Sequence, residues 1–218
     1  MKHRFFTLVE LLTVIAVIAI LAGIAVPVVI GMQSKGKEMS ARADMNAIKM
    51  ALTQFKADYS IFPVASSTSD TLLKAKFDKN TTGAKDTDND AMIAELTTIK
   101  TTPGTDNVPE DMTSSDFQYN KKKRKYLDAP PKPITPNPLV GGSAVFAKLD
   151  PWGRRYNIAL DTDYNKKLVL STAFLPVAET IVGDIAIYSY GTAEPKADDP
   201  SESDDTEAFL YSWKTNAK

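Results

Sequence analysis

Carboxylates are the groups whose type and spacing in this chain could do chemistry. Glu10 heads a stretch that is otherwise without charge from Leu11 to Ile30. An acid at the centre of a membrane helix costs about 2.5–3.5 kcal/mol. Glu10 stands near one end, so it can snorkel to the interface or await a cation from another chain. Asp86, Asp88 and Asp90 copy the opening of a calcium loop. That loop needs glycine at its sixth position and glutamate at its twelfth. Ala91 and Thr97 stand there instead, which favours solvated acids and a helix cap. A third acidic group lies in residues 192–205, with Glu194, Asp198, Asp199, Glu202, Asp204 and Asp205. These are hard oxygen ligands of the kind calcium takes, or a plain solvated loop.

Other chemistries are excluded by composition. The chain has no cysteine, so thiolate metal sites, disulfides and cysteine nucleophiles are absent. Its one histidine is His3, in the N-terminal tail, so the folded part has no imidazole for a triad or a near-neutral proton shuttle. Lys plus Arg is 26 and Asp plus Glu is 27, which makes no general case for a nucleic-acid partner. The basic run KKKRK, residues 121–125, reads as a solvated loop ahead of an anion or DNA site. No enzymatic activity is expected.

The elements that must position Glu10 begin with the apolar run. Leu11 to Ile30 is 20 residues, the length that a bilayer core about 30 Å thick requires of a helix. A cleaved secretory signal would have a shorter apolar stretch and a small-residue cleavage site. Lys2, His3 and Arg4 precede the run, so the positive-inside rule places the N-terminus in the cytoplasm and the remainder outside. Pro27 predicts a kink or a short unwound stretch near Gly23 to Pro27. Beyond Gly31 the pattern turns amphipathic. Met45, Ile48, Leu52, Phe55 and Tyr59 form one apolar stripe at helical spacing, and the helix should run to about Asp58, ahead of Pro63.

Residues 64–71 and 78–90 read as loop, 90–100 as a short helix, and the proline-rich 129–138 as an extended connector. Strands are expected at 154–160, 166–173 and 184–190, with a short edge strand at 208–213. The turn DTDYN, residues 161–165, predicts an antiparallel hairpin between the first two.

Four motifs, in order, carry a family resemblance. Phe6-Thr7-Leu8-Val9-Glu10-Leu11-Leu12 resembles the start of mature type IV pilins and pseudopilins, with a basic leader, Met1 to Phe5, before it. Pro27 is the twenty-second residue counting from Phe6, where such helices carry a proline. Residues 43–63 resemble the end of the pseudopilin stem. Asp150-Pro151-Trp152-Gly153 with Tyr156, and Asp184 to Gly191, resemble two signatures of the type II secretion major pseudopilin, the G-type family. The resemblance covers roughly 1–63 and 150–213.

The resemblance implies cleavage by a prepilin peptidase between Phe5 and Phe6 and methylation of the new amine. Phe5 stands where the family has glycine. Glu10 would then pair with the amine of a neighbouring subunit as subunits enter a helical filament. It also implies calcium in the loop after the last motif. Tyr190 would supply a carbonyl, and Asp204 and Asp205 match the distal aspartates. Ala193 takes the place of the first aspartate, with Glu194 beside it and Asp198 and Asp199 following.

The expected fold is therefore α+β and pilin-like. A long N-terminal helix, its first half transmembrane, packs on a small C-terminal antiparallel sheet. The expected parts are a leader (1–5), a membrane or filament-core half-helix (6–30), an amphipathic half-helix (31–62), a variable loop-rich region (63–148) and a sheet with an acidic loop (149–218). The expected role is a structural pseudopilus subunit. Its partners would be copies of itself, other pseudopilins, the inner-membrane assembly platform and the prepilin peptidase, with no nucleic acid. It would sit in the inner membrane by a single pass, with its C-terminal domain periplasmic, before entering the filament. An adhesive or DNA-uptake type IV pilin, and a membrane-anchored binding domain using a pilin-like signal, are the alternatives.

Overall fold

The computed structural model describes residues 8–65, 68–73, 87–100, 110–128, 132–134, 145–172, 175, 177–193 and 208–214. Side chains of 25–31, 87–88, 132–134 and 145–146 lie outside that description. The chain divides into two compact units, Met1–Met39 and Ser40–Lys218. Helix α1 (Leu8–Tyr59) contributes to both. It is assigned without interruption through Pro27, so the expected unwound stretch is not observed. Proline removes a single i→i−4 hydrogen bond, and the flanking bonds carry the helix past it.

In the second unit α1 is followed by β1 (Thr71–Leu73), α2 (Thr87–Thr97), β2 (Lys132–Ile134) and β3 (Val145–Ala147). Then come β4 (Asn157–Leu160), β5 (Lys167–Leu170), β6 (Glu179–Val182), β7 (Ile185–Ser189) and β8 (Leu210–Tyr211). The main sheet is antiparallel with order β1-β4-β7-β8. Two separate antiparallel pairs, β2-β3 and β5-β6, complete the strands.

Successive residues of a strand face opposite sides of a sheet, and here both sides are covered. Ile158, Leu160, Ile185 and Ile187 join Met45, Ile48, Leu52 and Phe55 of α1 in one core. Ala159, Ala186 and Tyr188 join Leu168, Leu170 and Phe209 in another. Hence every residue of β4 and β7 is buried, and their sequences run apolar instead of alternating. The helical stripe packs as its spacing predicts: Met45, Ile48, Leu52 and Phe55 are all buried, with Tyr59 at the margin.

The expected hairpin between 154–160 and 166–173 does not form. β4 pairs with β1 and β7, whereas β5 pairs with β6. The turn that looks like a hairpin loop carries the chain out of the main sheet. Asp161 accepts hydrogen bonds from the amides of Asn165 (3.1 Å) and Lys166 (2.8 Å), and Tyr164 and Lys166 adopt positive φ of 60° and 62°. The β5-β6 pair then lies over the second core, where Leu168 and Leu170 are needed.

One charged residue departs from expectation, and one charged segment does more than expected. Asp90 is buried in α2, and its two oxygens receive Arg155 Nε and Nη2, each at 2.8 Å. It is therefore not solvated, while Asp86 and the side chain of Asp88 lie outside the described residues. Asn89 Nδ2 donates to the Tyr156 carbonyl at 2.7 Å, fastening the same end of α2. Residues 121–125 form the exposed loop that was expected, and it also clasps the end of α1. Arg124 Nη1 and the Tyr126 hydroxyl both donate to Asp58 Oδ2, at 2.7 and 2.6 Å. The Lys122 amide donates to the Tyr59 hydroxyl at 2.7 Å, and that hydroxyl donates to Asn120 Oδ1 at 3.0 Å. Cations at a helix C-terminus also oppose its partial negative charge. Glu95 of α2 anchors the segment from the other side, accepting from the amides of Tyr119 (3.1 Å) and Asn120 (2.7 Å).

Removing one member of a buried ion pair strands the other charge. Arg155→Ala should therefore destabilise the chain by about 3–5 kcal/mol in denaturant titrations. The clasp should respond to acid. The Tyr126 hydroxyl, then Arg124, hold the Asp58 carboxyl below its ordinary value of 3.8. A depressed folded-state value means that the stabilisation is present above 3.8 and lost as pH falls through the folded value. Protection of the Lys122 and Arg124 amides from exchange, relative to the intrinsic rate at each pH, should fall over that acid range, and Asp58→Asn should abolish that pH-dependent loss.

Candidate functional site

In the first unit, α1 presents apolar side chains on every face. All the large apolar residues from Leu8 to Ile24 are at least half exposed, from 50% at Val14 to 79% at Leu8. A helix apolar all round belongs inside something, either a protein core or a membrane. Glu10 lies in the first turn of the helix and is exposed. An acid is favoured there by the positive end of the helix dipole. Thr13 needs no outside partner for its hydroxyl, which lies 3.1 Å from the Val9 carbonyl and 3.0 Å from that of Glu10. The segment's one other described polar side chain up to Ile24 is thus compatible with apolar surroundings. Among the described residues no helix is long and apolar enough to cross a membrane. Phe5 and Phe6 lie outside the described residues, and Pro27 is described only as part of the helix backbone.

In the second unit, the two C-terminal motifs meet. Asp150 is buried, and its Oδ1 accepts from the amides of Trp152 (3.0 Å) and Arg154 (2.8 Å), folding the DPWG turn around itself. Gly153 supplies the positive φ, 87°, that the turn requires. Asp150 Oδ2 accepts from the Ser189 hydroxyl at 2.6 Å. The Gly191 amide donates to that same hydroxyl oxygen at 3.0 Å. So one carboxylate joins the turn to the end of β7. Burial pushes the Asp150 carboxyl up, and the Ser189 hydroxyl is the largest influence in the other direction. Gly191 has φ 59°, and a Cβ there would sit 2.0 Å from the Ala208 carbonyl oxygen.

These contacts pin both ends of the acidic loop. Arg154 Nη1 donates to the Ala193 carbonyl, and the Ala193 amide donates to the Tyr190 carbonyl at 3.0 Å. Ala208 closes against Gly191. Tyr190 is buried and its ring packs edge-on to Tyr188 and Phe209. Its carbonyl, a calcium ligand by resemblance, has one of its two lone pairs engaged by Ala193. Glu194, Asp198, Asp199, Asp204 and Asp205 lie outside the described residues. A different acidic group does converge: Asp70, Asp161 and Asp163. Sequence reasoning missed it because DTDYN reads first as a turn. The Asp-x-Asp-x-Asn spacing within that turn was the available signal.

Comparison with known proteins finds similarity, over part of the chain, to pilin-like proteins of both secretion systems and pili. The type II secretion system core protein G of Escherichia coli (strain K12) is 34% identical over 74 residues, 34% of this chain and 51% of that protein. Its counterpart in Vibrio cholerae serotype O1 is 36% identical over 62 residues, 28% of this chain and 42% of the relative. The type IV major pilin protein PilA of Myxococcus xanthus is 41% identical over 54 residues, 25% of this chain and 24% of the relative. The chain thus spans about half, or less, of the length of these curated relatives. No family model and no solved structure matches it.

Ser189→Ala should leave a buried carboxylate oxygen without its donor, at a cost of about 1–3 kcal/mol. Asp150 is raised above its unfolded value, so its ionisation already weakens the fold, and losing the hydroxyl deepens that effect. The deficit should be full above both values and shrink as pH falls through them, as measured by denaturant titration across the acid range.

Proposed function

We propose that this chain is a structural subunit that assembles through the apolar half of α1 into a type II secretion pseudopilus. The observation that carries this is the exposure of apolar residues on every face of α1 from Leu8 to Ile24, with Glu10 as their acid. Similarity to core protein G of two organisms supports the secretion branch. Before assembly the run from Leu11 to Ile30 anchors the chain in the inner membrane by a single pass, N-terminus inside and Ser40–Lys218 in the periplasm. After assembly the same run is buried among neighbouring helices.

Glu10 sets the register. Cleavage by a prepilin peptidase between Phe5 and Phe6 frees an amine, which is then methylated. An α-amine titrates near 7.7–8.0 and is largely cationic at neutral pH. Out of water, a subunit one step out of register leaves both this amine and Glu10 unpaired, and stranded buried charges cost about 3–5 kcal/mol. The partners are further copies of the chain, other pseudopilins and the membrane assembly platform. Calcium in the 192–205 loop fastens that loop against the sheet end that Asp150 and Arg154 organise. The role is structural, with no reaction catalysed. The similarity to PilA favours a second reading, in which the same helix builds a type IV pilus.

Intact mass and N-terminal sequencing of the chain from native membranes test the processing step. A start at Phe6 with one added methyl is expected. A start at Met1 removes the amine and with it this pairing. Glu10→Ala should abolish filaments while the circular dichroism of the chain stays unchanged. Normal filaments from this variant would sink the pairing.

A further inference from the structure

The second unit carries a helix face that is open to solvent and has no charge. From Ser40 to Tyr59, α1 turns Met45, Ile48, Leu52 and Phe55 to the sheet. Ala43, Asn46, Met50, Thr53, Gln54 and Ala57 of the same stretch are all exposed. At about 100° per residue they fall in one arc about 100° wide, opposite the buried stripe. The charged residues of the stretch, Arg42, Asp44, Lys49, Lys56 and Asp58, flank that arc and are partly buried.

A helix face turned to water ordinarily carries charge. This one exposes Met50 to 62%, with Ala43 before it and Ala57 after it. Thr53 keeps its hydroxyl 2.8 Å from the Lys49 carbonyl of its own helix, so it needs no outside partner. Three of the flanking charges are satisfied within the unit. Lys56 pairs with Asp184 at 3.0 Å, Asp44 with Lys148 at 2.8 Å and Asp58 with Arg124 at 2.7 Å. Burying the arc therefore strands no charge within it. Interface cores are depleted of charge and enriched in methionine in the same way. Ala43 and Ala57 leave room on either side of Met50 for the side chains of a facing helix.

We propose that this arc packs against α1 of a second copy of the chain, with the two helices parallel. The inference rests on the filament reading above and extends it beyond the apolar half of α1. The arc belongs to the same uninterrupted helix as the apolar run. Where the apolar runs of neighbouring copies lie side by side, with their N-termini on one side of the membrane, the next turns of those helices are neighbours too and run the same way. A second α1 is then the surface that reaches the arc first. This contact forms outside the bilayer, where removing Met50 from water favours it.

The test uses the full-length chain in native membranes. The chain has no cysteine, so one introduced thiol reports alone. A benzophenone probe attached to Met50→Cys should give a product of twice the chain's mass, with the crosslink mapped to residues 40–60 of the second copy. The same probe on Leu12→Cys reports on the apolar half. Copy-to-copy crosslinks at Leu12→Cys with none between α1 helices at Met50→Cys overturn the proposal and leave the filament reading standing. Absence of both overturns the two together. A Met50→Cys crosslink to a different protein, or to another part of a second copy, overturns the proposal as well. Met50→Glu should lower the assembled fraction about tenfold or more, because its carboxylate would be buried without a partner. Its thermal midpoint in detergent should match the wild type, because the position is exposed. Val169→Glu, at an exposed site on β5 away from the arc, should assemble normally. Normal assembly of Met50→Glu, or equal loss in Val169→Glu, overturns the proposal.

Discussion

The stripe of Met45, Ile48, Leu52 and Phe55 on α1 must be covered, and one face of the sheet β1-β4-β7-β8 covers it. The rest of the second unit follows from this constraint. Covering the stripe uses Ile158, Leu160, Ile185 and Ile187, which turns Ala159, Ala186 and Tyr188 to the opposite face. That face in turn needs a cover. The β5-β6 pair provides it with Leu168 and Leu170, and β8 places Phe209 beside Tyr188. A two-stranded pair alone is marginal in water, so β5-β6 depends on the core as much as the core on it.

Polar contacts then fix how the irregular segments attach. Each uses a carboxylate at a place where backbone amides or cations would otherwise be unsatisfied. Asp90 holds α2 to Arg155, Glu95 gathers the amides of 119 and 120, Asp58 binds Arg124 and Tyr126, and Asp150 joins the DPWG turn to β7. The segment 121–125 shows why a basic run need not be a ligand site. Its side chains are exposed, yet the Lys122 and Arg124 amides are committed to Tyr59 and Asn120, and the Arg124 guanidinium to Asp58. The two halves of α1 differ in this respect. In Ser40–Lys218 the helix is amphipathic and its apolar stripe is covered within its own unit. In Met1–Met39 the described side chains up to Ile24 are apolar on all faces, and that chemistry points to partners outside the chain.

The sequence alone determined those features that depend on local periodicity. The apolar run and its single acid, the stripe at 45, 48, 52 and 55, the helix end at Tyr59, and strands β4, β5, β7 and β8 were legible because each is written in spacing of three to four or two residues. Motif order was legible too, and the relatives agree with the family it points to. Tertiary structure decided the pairings. Nothing local tells β4 to choose β1 and β7 over the adjacent β5, because the choice depends on which faces need burial after α1 has docked. Nor could a run of acids be sorted by sequence: Asp90 is taken by Arg155 across 65 positions, while Asp161 and Asp163 are met by Asp70 at the start of the neighbouring strand β1. Charge is read locally, but its partner is set by which elements the core brings together, and that is decided only when the chain has packed.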